Sequence, residues 1–152
     1  MNKSALILDP DFLNFIVYQL VLSILCDTLL IAVPEYKFVE NEKTGELLVV
    51  TGNVTNRYDS PRGDIQVMGK LYNTKGKVLV SAKVYCGNMF KDSDLSSLEL
   101  KTINERLNNR KGDNNIDAGV KPGQKVPFTV IFSKLPEGID ELTVEVVKSS
   151  GE

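Results

Sequence analysis

The sequence predicts a mainly β protein: an antiparallel β-sandwich of the immunoglobulin-like or fibronectin-like type, with one inserted helix and an apolar N-terminal helix. From Pro34 onward, apolar and polar residues alternate along short segments, as in strands that turn one face to a core. Turn-forming residues separate these segments. A long apolar run precedes them, at residues 12–33. We therefore divide the chain into an N-terminal apolar segment, 1–33, and a β-sandwich domain, 34–152.

The apolar run 12–33 has two interpretations, which the residues leave open. It contains 22 residues with a single charged side chain, Asp27. As a helix it would extend about 30 Å, the thickness of the hydrocarbon core of a bilayer, which suits a single membrane anchor. Asp27 would cost about 3 kcal/mol on insertion. Alternatively, a helix in the first half packs on the domain, and 28–33 already form the first strand.

Six further strands are predicted from the alternation, at 36–40, 47–55, 65–73, 77–86, 126–133 and 142–148. In the second of these, Gly52 shares the inward face with Leu48 and Val54, and indicates a bulge or a close backbone contact. Met68 and Ile131 fall on outer faces. We expect these two apolar side chains to be exposed, or covered by the N-terminal segment or another protein.

One helix interrupts the strands between 92 and 107. Asp92 or Ser93 is the predicted N-cap, and Asp92 and Asp94 suit the positive end of the helix dipole. The stretch 108–112, rich in asparagine and ending in glycine, is a suitable C-terminal stop. The apolar stripe of the helix consists of Leu95, Leu98, Ile103 and Leu107.

The composition argues against several classes of function. The chain has no histidine, which removes the commonest general base and metal ligand. Its two cysteines, Cys26 and Cys86, are far apart and are expected to be separate buried thiols, so no cofactor or zinc site is predicted. Residues 1–33 carry one lysine and three aspartates, which leaves 17 cationic and 17 anionic side chains in the rest. A neutral body with scattered basic residues argues against nucleic-acid binding.

The loop near Pro61 is the predicted contact site for a partner. Arg57, Tyr58 and Arg62 flank it, and loops at the end of a sandwich commonly carry recognition. The same residues would also suit an ordinary solvated turn. We expect no catalytic residues, because the carboxylates are dispersed over turns.

A second candidate is the Asn/Asp-rich loop 113–119. Asp113, Asn115 and Asp117 stand at the spacing of oxygen ligands in a calcium loop. The pattern then fails, since Ala118 stands where a glycine is needed and Gln124 where a bidentate glutamate is needed. A polar turn after a helix explains the same residues.

Several short motifs, in order over residues 35–149, resemble a bacterial family catalogued as domain of unknown function family 3426. No single motif is specific, and the resemblance rests on their order and spacing. They are Gly52-x-Val54-x-Asn56, Leu71-Tyr72-Asn73-x-x-Gly76, Gly87-Asn88, Leu95 with Leu98, Asn115, Pro122-Gly123, Pro127-Phe128, Phe132-x-x-Leu135-Pro136, Val144-Glu145-Val146 and Ser149.

The resemblance implies a sandwich-type envelope domain without a known activity. The family typically combines a zinc ribbon, a membrane helix and this domain on the far side of the membrane. This sequence has no Cys-x-x-Cys pair, so either it is a short form or the ribbon belongs to a part outside this sequence.

We therefore expect a non-catalytic, envelope-associated interaction or structural module that contacts another protein. Its expected location is the bacterial cell membrane, crossed once, with the sandwich on the extracytoplasmic side; the alternative is a soluble protein. The alternative function is a small-ligand or calcium-binding domain that uses loop 113–119. The oligomeric state is left open.

Overall fold

The computed structural model describes residues 3–8, 15–19 and 29–151. They form nine strands and two α-helices, all strand pairs being antiparallel. The elements are β1 (Lys3–Leu8), β2 (Phe15–Gln19), β3 (Leu29–Ile31), β4 (Glu35–Asn41), β5 (Gly45–Asn56), β6 (Arg62–Tyr72), β7 (Val78–Tyr85), α1 (Asp92–Ser97), α2 (Leu100–Leu107), a short 3₁₀ turn (Asp113–Asn115), β8 (Lys125–Phe132) and β9 (Glu141–Gly151).

The strands form two sheets. The first sheet has the order β2-β1-β9-β6-β7, and the second is centred on β5. One side of β5 pairs with β8, and the other pairs with β3 and then β4. Ile31 lies opposite Val54, and Glu35 lies opposite Thr51. Between these two pairs, residues 32–34 of the first segment therefore face only residues 52 and 53 of β5. The break at 32–34 includes Pro34, which has no N–H for the ladder, and it separates β3 from β4.

All six strands predicted after Pro34 are confirmed, with ends that differ by one to three residues. The close contact expected at Gly52 is also present, because a Cβ there would lie 2.7 Å from Cζ of Phe128, its cross-strand partner. The two sheets face each other in a sandwich-like arrangement. A Cβ on Gly69 of the first sheet would lie 2.9 Å from side-chain atoms of both Val130 and Phe132 of the second.

The helices cover the outer face of the second sheet. Leu47, Val49 and Ile131 are buried although they point away from the other sheet, and Leu95 and Ile103 of the helices belong to the same apolar cluster. The expectation that Ile131 would be exposed was therefore wrong, because the inserted helical segment packs over it. Met68, on the outer face of the first sheet, is half-buried.

The predicted single helix is two helices. Leu98 and Glu99 have extended backbone angles and separate α1 from α2. The side-chain amide of Asn41 donates to the carbonyl oxygens of Leu95 at 2.7 Å and Leu98 at 2.9 Å. In an unbroken helix the Leu95 carbonyl would accept from the N–H of Glu99, so Asn41 takes the place of a helical hydrogen bond.

The predicted N-cap was also wrong. Lys91 is the cap residue, without a side-chain cap hydrogen bond, and Asp92 is already the first helical residue. Asp92 pairs with Lys37 of the sheet beneath, and Asp94 pairs with Arg106 of α2. These carboxylates join the helices to their surroundings instead of capping α1.

The structure does not confirm an N-terminal helix. Within the apolar run, Phe15–Gln19 and Leu29–Ile31 are strands, and the other residues of 12–28 lie outside the described ones. The alternative in which 28–33 begin the sandwich agrees with β3. Among the described residues, no helix has the length and apolar character needed to cross a membrane. Cys86 is buried and free as expected, and Cys26 lies outside the described residues.

Candidate partner-binding groove

The loop that carries the predicted partner-contact residues is shaped by a buried asparagine at the end of β5. Asn56 accepts the N–H of Tyr58 through its Oδ1 at 2.9 Å. Its Nδ2 donates to the carbonyl oxygens of Ser60 at 3.0 Å and Val120 at 2.8 Å. One side chain thus closes the turn and ties it to the segment before β8, which gives Tyr58 a fixed position.

Arg62 is held against this loop from three sides. Its guanidinium lies over the ring of Tyr58, 4.4 Å from the centroid. Its Nε and Nη2 donate to Oγ of Ser149 at 3.1 and 2.6 Å. Its backbone pairs in both directions with Val120, at 3.0 and 2.6 Å. The planar cation is therefore fixed by neutral groups.

Tyr58 and Arg62 line an open groove of about 490 Å³, which lies between the start of β3 and the end of β9. Its lining is part apolar and part polar, with one further cation, Lys148. Of the residues that the structure describes, those that line it are Leu29, Tyr58, Arg62, Val146, Val147, Lys148 and Ser149.

The groove is cationic. Within the described part of the chain, neither Arg62 nor Lys148 has a carboxylate within ion-pair distance, whereas Arg106 and Arg110 each do. The structure thus brings two of the three predicted contact residues together. Arg57 is exposed and is not part of the groove lining.

Sequence reasoning missed the β9 side of the groove. Ser149 stands 87 positions after Arg62, and only the pairing of β6 with β9 brings them together. Leu29 reaches the groove because β3 pairs with the end of β5. The alternation of apolar and polar residues in β9 could be read from the sequence. Nothing in the local sequence indicated that the last residues of this strand line a groove.

The calcium-loop residues do not converge on one point. Oδ2 of Asp113 accepts the N–H of Met89 at 3.0 Å, Asn115 is exposed, and the Asp117 side chain is fully buried. Among the described residues, no group of three or more side chains of the types that bind metals is close enough to hold an ion.

Asp117 is an unusual carboxylate. Neither of its oxygens accepts a hydrogen bond from the protein. Burial raises the pKa of Asp117 to about 8, and the nearby charge of Asp64 adds to this effect. The N–H of Ile65 and the charge of Lys111 act in the opposite direction, but the Ile65 amide falls short of hydrogen-bond geometry. Asp117 is therefore protonated at neutral pH.

The pKa of Asp64 is shifted in the opposite direction from that of Asp117. Its carboxylate is nearly buried and receives Nζ of Lys111 at 2.9 Å and Nη2 of Arg110 at 3.1 Å. The hydrogen bond from Lys111, together with the positive charge of Arg110, lowers the pKa of Asp64 despite its burial. For the neighbouring Cys86, burial and then the charge of Asp117 raise the pKa of the thiol.

The described residues define a class: a mainly β protein of two facing antiparallel sheets, with a helical cover on one sheet and an open cationic groove at strand ends. The chain belongs to the DUF3426 family, whose model, described as a protein of unknown function, matches residues 29–146. This confirms the resemblance found in the sequence. No significant match was found among curated proteins or among solved structures.

Proposed function

We propose that this chain is a non-catalytic, immunoglobulin-like β-sandwich module of the bacterial cell envelope, which binds another protein through the groove around Arg62. The observation that carries the proposal is the fixed, half-buried guanidinium of Arg62 in an open groove, where no carboxylate of the described residues lies within ion-pair distance. A planar cation held ready for a partner is a common anchor at protein interfaces.

The groups with a perturbed pKa do not favour catalysis. Among the described residues, two groups have a raised pKa, Asp117 and Cys86, and both are fully buried, so a substrate cannot reach them. A general acid or base must lie within hydrogen-bond reach of the reacting atoms. With no histidine in the sequence, we place neither an acid–base pair nor a nucleophile in the groove.

The envelope location rests on the sequence. As a sequence, the apolar run 12–33 favours a single membrane anchor, and so does the usual organisation of the family, with the sandwich on the extracytoplasmic side. In the structure, Phe15–Gln19 and Leu29–Ile31 of this run are strands that pair with β1 and β5. Carbonate extraction of membranes from cells that express the whole chain tests this part. Retention in the membrane supports the anchor, and release into the supernatant contradicts it.

Photo-crosslinking in living bacteria tests the groove. We would place a photoreactive amino acid at Val147, an exposed residue of the groove lining, and for comparison at Val78, an exposed valine on β7. We expect a discrete crosslinked protein at Val147 that is absent at Val78 and is lost in Arg62→Gln. Equal products at both positions, or none at Val147, would refute the groove as the binding site.

A further inference from the structure

We infer that the partner contributes an extended, acidic segment, whose backbone pairs along β9 from Val146 onward and whose carboxylate binds Arg62. This inference rests on the proposed function, since it names the chemistry of the partner at the same groove. Three features of the groove lead to it: an Arg62 nitrogen that has no acceptor among the described residues, a side of β9 that no described strand pairs with after Glu145, and the distribution of charge and apolar surface in the lining.

The guanidinium of Arg62 has hydrogen-bond donors that no described residue accepts from. A guanidinium carries five N–H groups in a planar fork that matches a carboxylate. Nε and Nη2 donate to Ser149, and Nη1 has no acceptor among the described residues. Nη1 lies beside Gly151, where a Cβ would come within 2.5 Å of it. The absence of a side chain at Gly151 makes room for this nitrogen at the end of the strand.

The last residues of β9 present an edge. On one side, β9 pairs with β6 as far as Gly151. On its other side it pairs with β1 over Glu141 to Glu145, where Lys3 is the last partner. From Val146 onward, no described strand lies on that side. Unpaired N–H and C=O groups of this kind accept an added strand from another chain.

The lining selects against other occupants. Val146 and Val147 alternate along β9 and offer apolar contacts on opposite faces of an added strand, and Leu29 also lines the groove. Of the lining residues that the structure describes, the charged ones are Arg62 and Lys148, and both are cationic. An extended segment in which apolar and acidic residues alternate therefore complements the groove, whereas a basic segment is repelled.

Peptide binding to the whole chain tests this inference. The probe is a short blocked peptide in which valine alternates with glutamate, and its matched control has glutamine in place of glutamate. We expect the acidic peptide to bind at least about tenfold more tightly, a difference of about 1.4 kcal/mol, and to weaken as salt is added. It should also shift the NMR signal of the Arg62 Nε–H. Equal binding of both peptides would overturn the inference.

Two arginines of the same loop provide matched variants. Arg62→Gln should weaken the acidic peptide at least about tenfold, whereas Arg57→Gln removes an equal charge outside the groove and should leave binding unchanged. Arg62→Lys keeps the charge but loses the fork, so we expect intermediate binding. If thermal melting shows that the Arg62 variants do not fold, Lys148→Gln, at an exposed lining position, replaces them. Equal losses at Arg57 and Arg62 would contradict the assigned site.

The two proposals fail in different ways. If Val147 crosslinks a discrete protein but the acidic peptide does not bind at millimolar concentration, the groove is a binding site and only the inferred partner chemistry is wrong. If neither crosslink nor peptide binding is found, the proposed function and the inference both fail.

Discussion

Replacing Asp117 with asparagine should make the stability of the protein less dependent on pH. The pKa of Asp117 is raised from 3.8 to about 8 in the folded state, chiefly by burial. Between these values the folded protein holds a proton that the unfolded chain has released, so stability falls as pH rises. This contribution is complete below the unfolded pKa and is lost as pH approaches 8. The direction is opposite to that of a salt-bridged aspartate.

The magnitude follows from proton linkage. One proton held by the folded state alone gives a slope of about 1.4 kcal/mol per pH unit. Between pH 5 and pH 7, the wild-type protein should therefore lose up to about 3 kcal/mol from this group. Asparagine is neutral and similar in shape, so the Asp117→Asn variant should match the wild type below about pH 4, near the unfolded pKa. It should become increasingly more stable than the wild type as the pH rises through about 5 to 7.

Urea unfolding at a series of pH values measures this difference. Far-ultraviolet circular dichroism is the suitable signal, because the chain has no tryptophan. Asp59→Asn removes an exposed carboxylate and controls for the change in net charge. Parallel stability curves for the wild type and Asp117→Asn would mean that Asp117 is ionised in the folded protein, and the argument from burial would be refuted.

Three further predictions follow from other contacts. Asp64→Asn should cost about 1–2 kcal/mol in urea unfolding at pH 7, because Lys111 loses a charge-assisted hydrogen bond; an unchanged midpoint would contradict this. Gly69→Ala should cost about 1–3 kcal/mol by crowding Phe132, and Phe132→Leu should restore part of the loss; fully additive effects would rule out the contact. Millimolar calcium should leave the melting temperature unchanged, since the ligands expected in loop 113–119 do not converge; a clear rise would restore the calcium site.

The strands could be predicted because their signal is local. A period of two in apolar residues is set within each segment, and the structure has a strand at each of the six segments after Pro34. The break between α1 and α2 could not be predicted in this way. It depends on Asn41, which stands 54 positions before Leu95 and takes its carbonyl oxygen. The burial of Ile131 is likewise non-local, because it depends on where the helical insert packs.

The candidate site was partly accessible to sequence reasoning. A loop with two arginines and a tyrosine at the end of a sandwich was a reasonable place to expect recognition, and the structure puts Tyr58 and Arg62 in one groove. The other wall came from β3 and β9, which are remote in sequence. Sequence patterns identified the loop but contained no information on which of its cations would be fixed, because that depends on Ser149 and on strand pairing.

The Asn/Asp-rich loop 113–119 acquires a structural explanation once its backbone is considered. The carbonyl of Asp117 accepts the N–H of Asp64 at 2.8 Å, and the neighbouring Val120 pairs in both directions with Arg62. Residues 117–120 thus form backbone hydrogen bonds with the first residues of β6. These hydrogen bonds hold the backbone of Arg62, whose side chain lines the groove. Substitutions in the loop should therefore loosen the groove without touching its lining. A loss of partner binding after such a substitution would therefore not show that the replaced residue is a metal ligand. Only the calcium titration distinguishes a structural role of loop 113–119 from a calcium site.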